Sequence, residues 1–98
     1  MEQIERIKRM EQYLEQATEA VDELSAALDK YEEAQEAIRE LSAYYVSDDW
    51  RQDFTDDEQG KLPHDLKRGV LSEDGIWDVL EDSRNLRIRM LETVAKTL

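Results

Sequence analysis

Asp48, Asp49, Asp53, Asp56, Asp57 and Glu58 crowd carboxylates into one short stretch, and dense carboxylates can do two kinds of chemistry. They can ligate a hard cation such as calcium, or pass protons as a general acid and base. A calcium-binding EF-hand loop needs oxygen ligands at positions 1, 3, 5 and 12 around a glycine at 6. With Gly60 at position 6, the other positions hold Thr55, Asp57, Gln59 and Leu66, and the fit fails. Acid–base work needs a pocket that separates the proton affinities of two carboxyls. A stretch this polar reads instead as a solvated helix face.

Other chemistry finds fewer residues. Zinc sites are built mainly from Cys and His, and the chain has no cysteine and one histidine, His64, beside Pro63 in a turn. Ser25, Ser42, Ser47, Ser72 and Ser83 fall on predicted helices or at their caps. None has a glycine-rich elbow or a second histidine to activate it. The sequence therefore predicts a non-enzymatic protein with no catalytic residue, no metal and no cofactor. The aromatic residues Tyr44, Tyr45, Trp50, Phe54 and Trp77 are better placed for recognition. Most are expected in a small core around the middle segment. One or two left at the surface would make an anchor, since Trp and Tyr are enriched in binding hot spots. The candidate partner surface is thus Trp50 and Phe54 with the six acids around them.

These residues need elements to hold them. No Gly or Pro occurs before Gly60. Apolar residues recur at alternating intervals of three and four, a heptad pattern. Ile7, Leu14, Val21 and Leu28 form its a row; Met10, Ala17, Leu24, Tyr31, Ile38 and Tyr45 form its d row. Gln35 is the polar break in the a row. Tyr13, Ala20, Ala27, Ala34 and Leu41 widen one side of the seam. One helix is predicted over about 2–45. Ser47 then caps a short helix over about 48–58, with Asp48 and Asp49 where the helix dipole favours negative charge, and Gly60 and Pro63 end it. HDLKRG reads as one helical turn closed by Gly69. Ser72 caps a third helix, about 73–97, with Leu71 and Ile76 as a hydrophobic staple. Its buried stripe is expected to run from Ile76 through Val79, Leu80, Ser83, Leu86, Met90, Leu91 and Val94 to Leu98. The fold class is all-α: a helical hairpin or bundle in one domain, with the C-terminal helix packed back on the first.

Length makes the first helix conspicuous. About 44 residues at 1.5 Å rise give roughly 65 Å, whereas a compact chain of this size spans roughly 30–35 Å. The third helix, roughly 38 Å long, covers only part of it. Ile7, Met10, Leu14, Ala17, Val21, Leu24, Leu28, Tyr31 and Ile38 are therefore the expected oligomer seam. A homodimer is predicted, formed by antiparallel pairing of the long helices.

Charge narrows the partners. The net charge of −12 is uneven: residues 1–45 carry 12 acids and 5 bases (−7), residues 46–66 carry 7 and 2 (−5), and residues 67–98 carry 6 of each. Phosphate backbones and anionic membranes are repelled by such a surface. A protein partner, basic in character, is expected, with no direct nucleic-acid binding and no membrane insertion. The charged opening MEQIERIKRMEQ does not resemble a secretory signal, so the expected location is cytoplasmic. The leading expectation is a helical adaptor or regulator. Its rival is an acidic inhibitor that occupies a basic groove on a partner, as nucleic-acid mimics and anti-CRISPR proteins do.

MEQIERIKRMEQ, AYYVSDDWRQDF and DEQGKLPHDLKRGVLSEDGIWDVL resemble the family catalogued as domain of unknown function 4298. The likeness spans nearly the whole chain, and LPHDLKRGVLSED is its most specific block. The resemblance implies a small helical bacterial protein. It carries no activity, cofactor or mapped site to any residue here.

Overall fold

Good helix formers without a breaker make a long first helix, α1, over Glu2–Glu33 in the computed structural model, which describes residues 1–98. Glu2 and Glu5 lie in its first turn and Lys30 in its last, each charge opposing the helix dipole. The expected unbroken run to residue 45 does not form. Helical bonding is interrupted at Ala34, and α2 follows over Gln35–Tyr45. At the interruption the Ala34 amide donates to both Lys30 O (3.1 Å) and Tyr31 O (3.2 Å). The side-chain amide of Gln35 donates to Tyr31 O at 3.3 Å. That carbonyl would accept the Gln35 backbone amide in a continuous helix, so the side chain competes with the ladder. α1 stops at Glu33, two residues before Gln35, the one polar residue of the a row.

Two further helices complete the all-α fold: α3 over Asp48–Glu58 and α4 over Gly75–Thr97, with a 3-10 turn at Gly69–Leu71 between them. Packing divides the chain into two units, Met1–Gln35 and Glu36–Leu98. In the first unit, α1 has no buried residue.

The second unit is assembled by caps. Ser47, extended at φ −86° and ψ 161°, accepts the Trp50 amide at 3.2 Å and starts α3 as expected. Gly60, at φ +72°, ends it. Gly60 N donates to Asp57 O and Lys61 N to Asp56 O, the paired bonds of a Schellman motif. Residue 60 must adopt a left-handed conformation there, which favours glycine. The turn expected within HDLKRG is looser than a helical turn. Leu66 N reaches Pro63 O at 3.3 Å, and the compact 3-10 turn begins only at Gly69. Ser72 accepts the Gly75 amide at 2.9 Å, the bond of an N-cap, and α4 proper begins at Gly75.

Leu71 and Ile76 flank that cap, and they are the buried apolar residues of the unit, at 6% and 2% exposure. The staple read from their spacing is thus the centre of the core. Leu41 on α2 lines one open hollow with Ile76 and Val79, so the C-terminal helix returns onto the last part of the stretch assigned to the first helix. The buried stripe of α4 is shorter than expected. Ile76 and Ser83 are buried and Leu80 and Met90 half-buried, but Val79, Leu86, Leu91, Val94 and Leu98 lie open. α4 packs closely on the 3-10 turn at its start and shares the hollow with Leu41; no other helix packs along its later turns.

Gly75 sits where a Cβ would collide with the Gly69 carbonyl oxygen and come within 2.6 Å of Ser72 Oγ. Gly75→Ala is expected to cost about 1–3 kcal/mol, in the range of overpacking. The midpoint of urea unfolding, followed by tryptophan fluorescence, measures it.

Candidate functional site

The acidic–aromatic segment is positioned by α3, whose Ser47 cap and Gly60 stop fix which side chains face inward. Trp50 and Phe54, four apart, lie on one face and stack with centroids 5.1 Å apart at 22°. Tyr45 meets the Trp50 ring edge-on at 5.1 Å and 68°. The Trp50 indole donates to Val70 O at 2.8 Å, and Tyr45 Oη lies 3.5 Å from Glu73 O. All three rings are half-buried. The stack therefore ties α2, α3 and the 3-10 turn together, and its aromatic faces are largely spent on the protein's own packing. Trp77, on α4, is 52% exposed.

The acids around this stack divide in two. Asp53 accepts a 2.6 Å hydrogen bond from Tyr44 Oη. Asp56 accepts from Gln52 at 2.9 Å and lies 3.9 Å from Lys61. Asp57 sits 3.2 Å from Arg68 Nε, and the same guanidinium donates to Pro63 O. These three aspartates are half-buried, and they hold the Lys61–Arg68 loop against α3. Asp48, Asp49 and Glu58 are exposed; Asp48 pairs with Arg51 at 2.7 Å on the surface, a contact of small energetic weight. No group of three or more His, Cys, Asp or Glu side chains is arranged to hold a metal ion.

Burial, the bond to Asp53 and the negative charge of Asp53 and Asp49 together raise the Tyr44 phenol from 10.0 to about 12. The neutral phenol is the donor, so ionisation breaks the bond and sets two negative charges together. Sequence reasoning did not find the Tyr44–Asp53 pair or the Arg68–Asp57 pair. The acids are visible in the sequence, but their partners come from other elements and no local spacing announces them.

The second candidate surface is the seam. On α1, Ile7, Met10, Leu14, Val21 and Leu24 are each 50–65% exposed, and Ala17 and Leu28 are open as well. They line one face because 3.5-residue spacing keeps a and d positions together. Ile4 and Tyr13 extend that face. Tyr31 is half-buried, and Ile38 falls beyond the interruption, on α2 in the second unit, where it is half-buried. The expected seam residues from Ile7 to Tyr31 thus share α1, and Ile38 belongs to α2. No helix is long and apolar enough to cross a membrane.

A family model, that of a domain of unknown function (DUF4298), matches residues 7–93. No curated protein matches the chain, and no solved structure does.

The raised phenol has a definite consequence for pH. A group whose folded-state pKa exceeds its unfolded value contributes stability below the unfolded value and loses it as pH climbs through the folded one. The second unit is expected to keep the Tyr44 contribution up to about pH 10 and to lose it as pH approaches 12. Tyr44→Phe should flatten that alkaline loss, read from denaturant midpoints of both proteins across the range.

Proposed function

The chain belongs to the family of domain of unknown function 4298, and for this member of it we propose a non-enzymatic role as a protein-interaction module that buries the apolar face of α1 against another helix. The observation that supports this reading is that no residue of α1 is fully buried and that Ile7, Met10, Leu14, Val21 and Leu24 stay 50–65% exposed along one regular apolar row. Helices in water gain most of their stability from packing an amphipathic face rather than from propensity. Each Leu-, Ile- or Met-sized side chain moved from water to a packed interface is worth roughly 1.5–3 kcal/mol. Five such residues on one face are a large reservoir of association energy. Single exposed apolar residues are ordinary on any surface, but a contiguous row marks an interaction site.

The exposed acids Asp48, Asp49 and Glu58 have a secondary part in this reading. They steer a basic partner rather than anchor it. The inhibitor reading, an acidic mimic of nucleic acid, has less support. It needs carboxylates free to meet a basic groove, and Asp53, Asp56 and Asp57 are engaged with their own unit.

Leu14→Glu combined with Leu24→Glu places two charges in the seam. The wild type is expected to gain mass and helicity with concentration in sedimentation and circular dichroism. The variant should stay at 11.6 kDa and lose helix signal, with its tryptophan fluorescence unchanged. Added salt should leave wild-type association intact or strengthen it, because screening relieves repulsion between acidic chains. A wild-type monomer whose α1 amides are protected from hydrogen exchange at every concentration removes the basis of the reading.

A further inference from the structure

We propose that the occupant of the α1 seam is the α1 of a second copy of this chain, running antiparallel in a single register. This rests on the helix-burial reading above and goes further by naming the partner and its alignment. In an antiparallel two-helix seam, a positions of one helix face d positions of the other. In the register we infer, the numbers of facing residues add up to 38: Ile7 faces Tyr31 of the second copy, Leu14 faces Leu24, and Gln3 faces Gln35.

The two glutamines select this register. Gln35 is the polar member of the a row, and Gln3 stands at the first d position. Their meeting leaves only apolar layers between them. A slip of one heptad in one direction sets Gln35 on Met10; a slip in the other sets Gln3 on Leu28. Either slip sets a glutamine against an apolar residue and cuts the apolar layers of the seam from eight to six. The seam also ends where the structure does. Gln35 closes the first packed unit, and α1 stops at Glu33. Two α1 helices in this register overlap over nearly their full 32 residues, about 48 Å.

Charge selects the direction. Residues 2–17 hold four acids and three bases, a net −1, whereas residues 18–33 hold six acids and one base, a net −5. Parallel pairing would lay the two −5 halves side by side. Antiparallel pairing lays each −5 half along a −1 half and puts Lys8 on the same flank as Asp29 and Glu32 of the second copy. The open stretch of α4, Leu86 to Leu98, is the competing occupant, but at about 18 Å it is half the length of the roughly 36 Å from Ile7 to Tyr31.

The chain has no cysteine, so single introduced thiols report which positions meet, disulfides requiring Cα atoms within about 7 Å. Leu14→Cys and Leu24→Cys are oxidised separately and as an equal mixture, with circular dichroism checking that each keeps wild-type helicity. Ile7→Cys with Tyr31→Cys gives a second reading of the same register. The cross-linked heterodimer is expected to be the main product of each mixture and to be lost when either variant is oxidised alone. Cross-linking of Leu14→Cys with itself would mean parallel pairing and would overturn the inference while leaving the helix-burial reading in place. A Leu14→Cys cross-link to Leu91→Cys would make α4 the occupant and overturn it equally. A protein that sediments as a dimer yet links in neither mixture would refute the register. A wild type that stays monomeric at all concentrations would remove the inference and the self-association beneath it together.

Discussion

Apolar side chains on one face of a helix must leave water for that helix to persist, because backbone hydrogen bonds alone hold an isolated helix only marginally. The two parts of this chain meet that constraint differently. In the second unit, Leu71 and Ile76 close over the Ser72 cap, and the Tyr45–Trp50–Phe54 stack ties α2 and α3 to the 3-10 turn. In the first unit, α1 holds a comparable supply of apolar residues with none of them buried.

The interruption at Ala34 separates these two situations. A continuous helix would carry the seam into Ile38 and Tyr45 and merge the exposed row with the packed core. Gln35, by drawing the Tyr31 carbonyl to its side chain, ends the first row where the second unit begins. A polar residue in an otherwise apolar row thus sets the length of the uncovered face. Such a residue commonly fixes register and partner number in helical assemblies at some expense in stability.

The acidic band illustrates how little composition says about availability. Six acids on one short helix look like a surface for a basic partner. Three of them instead secure Tyr44, Lys61 and Arg68, and so hold the loop that carries Val70 to the Trp50 indole. Charge that would have been read as recognition is spent partly on holding the fold together.

Local rules made much of the molecule legible beforehand. The Ser47 and Ser72 caps, the Gly60 stop, the α3 bounds and the Leu71–Ile76 staple each depend on residues within five positions of one another, so the sequence by itself determined them. The long N-terminal helix and the all-α class followed from uninterrupted 3.5-residue periodicity. What only the tertiary structure decided depends on distant partners or on competition between near-equal bonds. The break at Ala34 turns on one carbonyl taking the Ala34 backbone amide and the Gln35 side-chain amide together. The exposure of Leu86, Leu91 and Val94 turns on the 3-10 turn meeting α4 only near its start. The engagement of Asp53, Asp56 and Asp57 turns on where the chain returns after Pro63. Periodicity states which side chains share a face; it is silent on whether anything lies against it, because burial is a property of two surfaces and the sequence of one helix describes only its own.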